Sequence, residues 1–71
     1  MNEIMQDTLC RRLCHLIKDY QDGYEAEYFH FYQGFMYCMK MLGYYIEFTF
    51  DLNCITDGFI CNGKTYKLSD Y

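Results

Sequence analysis

Apolar residues near the start of the chain recur every three or four positions, which is the spacing of an amphipathic helix. At about 100° per residue, seven of them share an arc about 140° wide: Met5, Leu9, Cys10, Leu13, Leu16, Ile17 and Tyr20. Gln6 is the one polar residue on this side, and the charged residues occupy the opposite side. The spacing predicts a helix over residues 3–20 that buries this arc.

A second helix is predicted over residues 24–42. The preceding Gln21-Asp22-Gly23 is typical of a turn in which Gly23 takes a positive φ, and Gly43 suits a left-handed cap. The apolar arc of this helix spans about 180°: Tyr24, Tyr28, Phe29, Phe31, Tyr32, Phe35, Met36, Cys38, Met39 and Leu42. An arc this wide predicts contacts with both the first helix and the sheet, so we expect this helix to be the spine of the core.

From Tyr44 onward the apolar period changes to two, which predicts a half-buried strand over residues 44–51. Alternate residues would face the core: Tyr44, Ile46, Phe48 and Phe50. The opposite face, with Tyr45, Glu47 and Thr49, would face solvent. Asp57-Gly58 is a candidate turn in the loop that follows.

Asn62-Gly63 is the strongest local signal in the chain, because this pair between apolar runs favours a type I′ hairpin turn. It predicts strands over residues 58–61 and 64–68. Three cross-strand pairs follow: Cys61 with Lys64, Ile60 with Thr65, and Phe59 with Tyr66. The sequence therefore predicts one α+β domain over residues 1–71, with two amphipathic helices followed by a three-stranded antiparallel sheet.

The aromatic content is the most unusual feature of the composition. Hydrophobic residues make up 52% of the 71 residues and aromatic residues 21%, with nine tyrosines and six phenylalanines. A chain of this length buries only about 60% of its unfolded surface, so some rings should remain exposed. Since tyrosine is enriched at protein interfaces, we expect a protein partner or a homodimer.

Charge and cysteine content narrow the class of protein further. The net charge of −4 argues against a nucleic-acid partner, which requires clustered Lys and Arg. No apolar run approaches the roughly 20 residues that span a membrane. The five cysteines, without a signal peptide, are expected to be free, buried thiols in a cytoplasmic protein.

No pattern of catalytic or metal-binding residues stands out. Cys10 and Cys14 lie one helical turn apart, but no second pair completes a zinc site. Cys14 and His15 are adjacent and would point about 100° apart on a helix, so they do not form a nucleophile and base. There is no glycine-rich nucleotide loop. We expect no catalytic residue, no metal and no cofactor, and therefore no enzyme.

The back of the second helix carries the main candidate binding site. His30, Gly34, Tyr37 and Met41 recur at i, i+4, i+7 and i+11 and form one stripe. A glycine at the centre of a helix costs about 1 kcal/mol relative to alanine, and it often marks close approach of another group. We expect this stripe to be a partner-binding site; the alternative is that the sheet covers it and makes it core.

Two further surfaces are weaker candidates. The outer strand face combines aromatic and polar residues, as interface rims do: Tyr45, Glu47, Thr49, Ile60, Thr65 and Lys67. A small basic strip on the first helix holds Arg11, Arg12, His15 and Lys18. Flanking acids make it more typical of a solvated face than of a phosphate site.

In length and composition, rich in Tyr, Phe and acidic residues without Pro or Trp, the chain resembles short orphan proteins of phages and mobile elements. Many of those are anti-defence inhibitors that bind and block a host protein. The resemblance implies a non-enzymatic inhibitor or regulator that occludes its partner, and it transfers no site residue. The alternatives from other classes are a nucleic-acid-associated regulator that uses the helix pair, and a structural or assembly subunit.

Overall fold

Two helices come first along the chain, and three strands follow. The structure is a computed structural model that describes residues 2–71. Its elements are α1 (Glu3–Gly23), α2 (Ala26–Met41), β1 (Ile46–Phe50), β2 (Thr56–Cys61), β3 (Lys64–Lys67) and a 3₁₀ helix over Leu68–Asp70. The strands form an antiparallel sheet in the order β1-β2-β3. The predicted α+β fold is confirmed.

The end of α1 differs from the prediction. Residues 21–23, predicted as a turn, form the last residues of the helix, and the left-handed residue is Tyr24, with φ 54°, instead of Gly23. A left-handed conformation costs a non-glycine residue roughly 1–2 kcal/mol. Two contacts offset that cost: the Tyr24 amide donates to the Tyr20 carbonyl at 2.6 Å, and the two rings meet edge to face at 5.2 Å.

The core is built on α1, so the prediction that the second helix is its spine was wrong. Five side chains of α1 are buried: Gln6, Cys10, Leu13, Cys14 and Ile17. On α2, Met39 alone is buried. The hairpin contributes Phe59, Cys61 and Tyr66 to the same cluster. The apolar face of the hairpin packs against α1. Much of the wide apolar arc of α2 therefore remains exposed to solvent.

Gln6, the one polar residue in the apolar arc of α1, is buried and hydrogen-bonded to the hairpin. Its side-chain amide donates to the Cys61 carbonyl at 2.9 Å and to the Tyr66 hydroxyl at 3.4 Å. A buried amide is costly unless it is paired, and here the pairing ties α1 to the hairpin. The polar residue is therefore a core contact between the first helix and the last two strands.

The hairpin matches the prediction in turn, register and buried face. Asn62 and Gly63 have φ values of 50° and 88°, and the three expected cross-strand pairs are present. Gly58, however, lies within β2 and not in a turn. A Cβ atom at this position would stand 2.2 Å from the Tyr66 carbonyl oxygen, so the glycine permits close approach of β2 and β3.

The first strand is shorter than predicted. It begins at Ile46 and not at Tyr44. The Tyr44 backbone N–H donates to the Met39 carbonyl at 2.9 Å, so Tyr44 belongs to the end of α2 and not to the sheet. A register shift between Thr49 and Phe50 interrupts the alternation of the two faces. As a result, the Phe50 side chain is exposed instead of buried.

All five cysteines are free thiols. Cys10, Cys14 and Cys61 are buried, whereas Cys38 and Cys54 are exposed, which corrects the expectation that all five are buried. Burial raises the pKa of Cys14 to about 11, and it raises the pKa values of Cys10 and Cys61 as well. The buried thiols therefore remain protonated at neutral pH.

Candidate protein-binding site

An open groove of about 330 Å³ lies between α2 and β1. We call it the α2–β1 groove; its lining residues are Gln33, Met36, Tyr37, Lys40, Tyr44, Tyr45 and Ile46. Tyr44 is buried, and Met36 and Ile46 are half-buried, so they form an apolar floor. Tyr37 and Tyr45 are exposed at its margins. The structure thus brings two of the predicted site residues to a single groove: Tyr37 from α2, and Tyr45 from the position just before β1.

Tyr45 is held in place by the hairpin turn. The Tyr45 amide donates to Asn62 Oδ1 at 2.8 Å, and the Asn62 amide donates to the Tyr45 carbonyl at 3.1 Å. The Asn62 side-chain amide also donates to the Gly43 carbonyl at 3.4 Å. These bonds fix the backbone while the Tyr45 side chain remains 69% exposed. Because the Tyr45 backbone is already ordered, little backbone entropy is lost when a partner covers the Tyr45 ring.

The predicted stripe on α2 faces solvent along its whole length. His30, Gly34, Tyr37 and Met41 are all exposed, and a Cβ atom at Gly34 would meet nothing within 4 Å. The alternative in which the sheet covers this stripe is therefore wrong. Of the four residues, only Tyr37 also lines the groove, and the other three lie on the outer face of α2.

One basic side chain stands beside the apolar floor. Lys40 and Gln33 are both exposed and line the groove on the α2 side. An ammonium group next to an apolar depression favours a ligand that presents a carboxylate beside an apolar side chain. The groove therefore combines an apolar floor, two aromatic margins and one cation.

The basic strip on α1 is partly occupied by the chain itself. The Lys18 ammonium donates to the backbone carbonyl of Tyr71, and the His15 ring meets the Tyr71 ring edge to face at 6.4 Å. Arg11 and Arg12 remain exposed. Two of the four strip residues therefore contact Tyr71, and the two arginines are exposed without such a contact.

The outer strand face is also largely exposed, as expected. Glu47, Thr65 and Lys67 are exposed, whereas Thr49 and Ile60 are half-buried. Thr49 donates its hydroxyl to Asp57 at 2.7 Å. The face is flanked at one end by Tyr45, which lines the α2–β1 groove. Tyr45 is therefore shared by two of the predicted surfaces.

A cluster of ionisable groups joins the start of α1 to the hairpin. Lys64 forms salt bridges with Asp7 at 2.9 Å and with Glu3 at 3.2 Å, and the Tyr66 hydroxyl donates to Asp7. The hydrogen bonds from Tyr66 and Lys64 lower the pKa of Asp7. Burial and the Asp7 carboxylate raise the pKa of Tyr66. Every group has an internal partner, so we assign this cluster to stability.

Sequence reasoning missed the apolar residues of the β1–β2 loop. Leu52 is fully exposed at its tip, and Ile55 is exposed beside it. The Asp51 side chain accepts hydrogen bonds from the Asn53 amide at 2.8 Å and from the Ile55 amide at 3.1 Å, which orders the loop. Nothing in the sequence distinguishes Leu52 from an ordinary loop residue, because exposure of an isolated leucine has no periodic signature.

Within residues 2–71, no group of three or more His, Cys, Asp or Glu side chains is arranged to hold a metal ion. No helix in this part of the chain combines the length and apolar character needed to span a bilayer.

Comparisons of the chain with protein families, with curated proteins and with solved structures gave no significant match.

Proposed function

We propose that this chain is a non-enzymatic protein-binding module that occludes a surface of a partner protein. The observation that supports the proposal most directly is the amount of large apolar surface left in solvent. Among the described residues, twelve large hydrophobic side chains are exposed, and they include Tyr37, Tyr45 and Phe31. Soluble monomers rarely leave extensive apolar patches uncovered unless the patch binds something.

The α2–β1 groove is the contact site in this proposal. Its volume of about 330 Å³ suits one or two side chains of a partner, and its apolar floor favours an aliphatic or aromatic anchor. Tyr37 and Tyr45 supply broad aromatic contacts, which are typical of interface hot spots. Lys40 favours a carboxylate next to that anchor. The partner segment is therefore an apolar side chain with a neighbouring acidic residue.

Occlusion, and not chemistry, is the proposed mode of action. It agrees with the resemblance to small inhibitors of phages and mobile elements, which bind and block host proteins. A module of this kind acts in one-to-one stoichiometry with its target. Its effect depends on affinity and concentration, without turnover.

The test compares three forms of the chain in quantitative affinity capture: unmodified, Tyr45→Ala, and Leu52→Ala as the matched control. Tyr45 and Leu52 are both exposed, but only Tyr45 lines the groove. Loss of a hot-spot tyrosine costs about 2 kcal/mol or more, which is roughly 30-fold in affinity. We expect at least one protein to be captured by the unmodified and Leu52→Ala chains and lost with Tyr45→Ala. Capture that is equal for all three forms would refute the groove as the binding site.

A further inference from the structure

The outward face of α2 is uncovered and regularly spaced. We define the Gly34 face as Gly34 and the six residues around it: Glu27, His30, Phe31, Tyr37, Cys38 and Met41. At about 100° per residue, all six lie within about 60° of the direction of Gly34. All are exposed, and the buried Met39 points about 140° away. This face is therefore opposite the side of α2 that contacts the core.

The spacing within this face is that of a helix-pairing seam. Positions 27, 31, 34, 38 and 41 alternate in steps of four and three, which is the repeat through which two helices pack side by side. Gly34 lies at the centre of the seam and has open space where a Cβ atom would be. A second helix can therefore approach closely at this point, toward the lower end of the usual interaxial distance of about 8–10 Å.

We propose that α2 packs against α2 of a second copy of this chain, antiparallel, with the two-fold axis at Gly34. In this arrangement, residues equally far before and after Gly34 come to the same height on the two helices. Phe31 therefore comes to the height of Tyr37 of the second copy, and His30 comes to the height of Cys38. Self-association goes beyond the proposed partner binding, although Tyr37 belongs both to this face and to the α2–β1 groove; Tyr45 lies in the groove alone and distinguishes the two.

Charge selects the antiparallel arrangement over the parallel one. Glu27 lies near the start of α2 and within the Gly34 face. In an antiparallel pair, Glu27 of one copy comes to the height of Met41 of the other, so no like charge opposes it across the seam. In a parallel pair with the same seam, Glu27 would face Glu27, and like charges directly opposed are unfavourable. Antiparallel packing also opposes the two helix dipoles.

The exposed area is sufficient for a dimer of moderate affinity. Phe31, Tyr37 and Met41 are 54%, 65% and 73% exposed. Since large side chains of this kind bury roughly 150–250 Å² each, these three offer about 300–450 Å² per copy. With the smaller contributions of His30 and Cys38, the two copies together bury about 1,000 Å², near the lower limit for a specific interface. We therefore expect dissociation constants on the order of micromolar, not nanomolar.

Cysteine cross-linking tests both the face and its direction. In a Cys54→Ser background, His30→Cys places a thiol at the height of Cys38 of the second copy, within disulfide reach. The same two positions within one helix are about 12 Å apart, too far for an intramolecular bond. We expect mild oxidation to give a covalent dimer with His30→Cys, and none when Cys38→Ser is added. A Cys38–Cys38 disulfide without the introduced cysteine would indicate parallel packing, and absence of any dimer would refute the face.

Sedimentation equilibrium of the unmodified chain provides the second measurement. We expect the average mass to rise toward twice that of one chain as concentration increases through the micromolar range. Gly34→Arg, at a position with no neighbour within 4 Å, should keep the circular dichroism spectrum of a folded chain and remain monomeric. Tyr45→Ala should dimerise normally, because Tyr45 is outside the Gly34 face, so failure of the groove proposal would leave this result unchanged. An unmodified chain that stays monomeric at millimolar concentration would overturn the proposed dimer.

Discussion

The two glycines at positions 34 and 58 should respond in opposite ways to the same substitution. Gly34 lies in the middle of α2 and has nothing within 4 Å of its missing Cβ. Alanine is favoured over glycine there by about 1 kcal/mol, because glycine loses more backbone freedom on folding. Gly58 lies in β2, where a Cβ atom would stand 2.2 Å from the Tyr66 carbonyl oxygen and 3.2 Å from the Lys67 Cα atom. Alanine at this position must force β2 and β3 apart.

The magnitudes follow from the size of the chain. A domain of this length is stable by roughly 4–10 kcal/mol, at about 0.05–0.15 kcal/mol per residue. We expect Gly58→Ala to lose about 3 kcal/mol or more, because the overlap is with backbone atoms that cannot rotate away. Gly34→Ala should gain about 1 kcal/mol, or about 4–8 °C in Tm.

Urea unfolding followed by circular dichroism measures both changes. The protein should be kept well below the micromolar dissociation constant expected for the proposed dimer, so that the dimer does not contribute to stability. A shift in the urea midpoint without a change in slope identifies a stability effect. The reasoning is refuted if Gly58→Ala unfolds within about 0.5 kcal/mol of the unmodified chain, or if Gly34→Ala is less stable than the unmodified monomer.

Two further expectations concern pH. The pKa of Asp7 is lowered in the folded protein by Tyr66 and Lys64, so its stabilising contribution is present above the unfolded value of about 4 and is lost as pH falls through the folded value. Asp7→Asn should therefore flatten the acid limb of stability against pH, and an unchanged acid limb would contradict the role of Asp7. Because burial raises the pKa values of Cys10 and Cys14, the latter to about 11, the protonated thiols favour the folded state, and stability should fall as pH rises above about 9. Urea midpoints between pH 8 and 11, under reducing conditions, measure this effect, and midpoints independent of pH would contradict it.

The hairpin was predictable because its signals are local. Asn62-Gly63 specifies a two-residue turn, the turn fixes the register, and the register fixes which side chains are buried. The helix over residues 3–20 was predictable for a similar reason, since α1 keeps one regular apolar arc. Its last turn was missed, because a left-handed Tyr24 depends on a ring contact with Tyr20 that no local pattern encodes.

The role of α2 could not be predicted, because periodicity reports which residues are apolar and not which of them find a partner. Its wide arc suggested burial on two sides, yet Met39 is its only buried residue. The exposed stripe was predicted from spacing, whereas the groove joining Tyr37 to Tyr45 depends on how α2 and β1 meet. Phe31 was assigned to the core side, although it is exposed beside Gly34.

The contact between Gln6 and Cys61 has a consequence for how the chain is made. The buried side of α1 is covered by residues that leave the ribosome more than 40 positions later, such as Phe59 and Tyr66. At synthesis rates of roughly 5–20 residues per second, the nascent first helix waits about 2–8 seconds for the hairpin that covers it. During that interval the helix exposes its leucine and isoleucine side chains, and molecular chaperones can bind them before the last strands are translated.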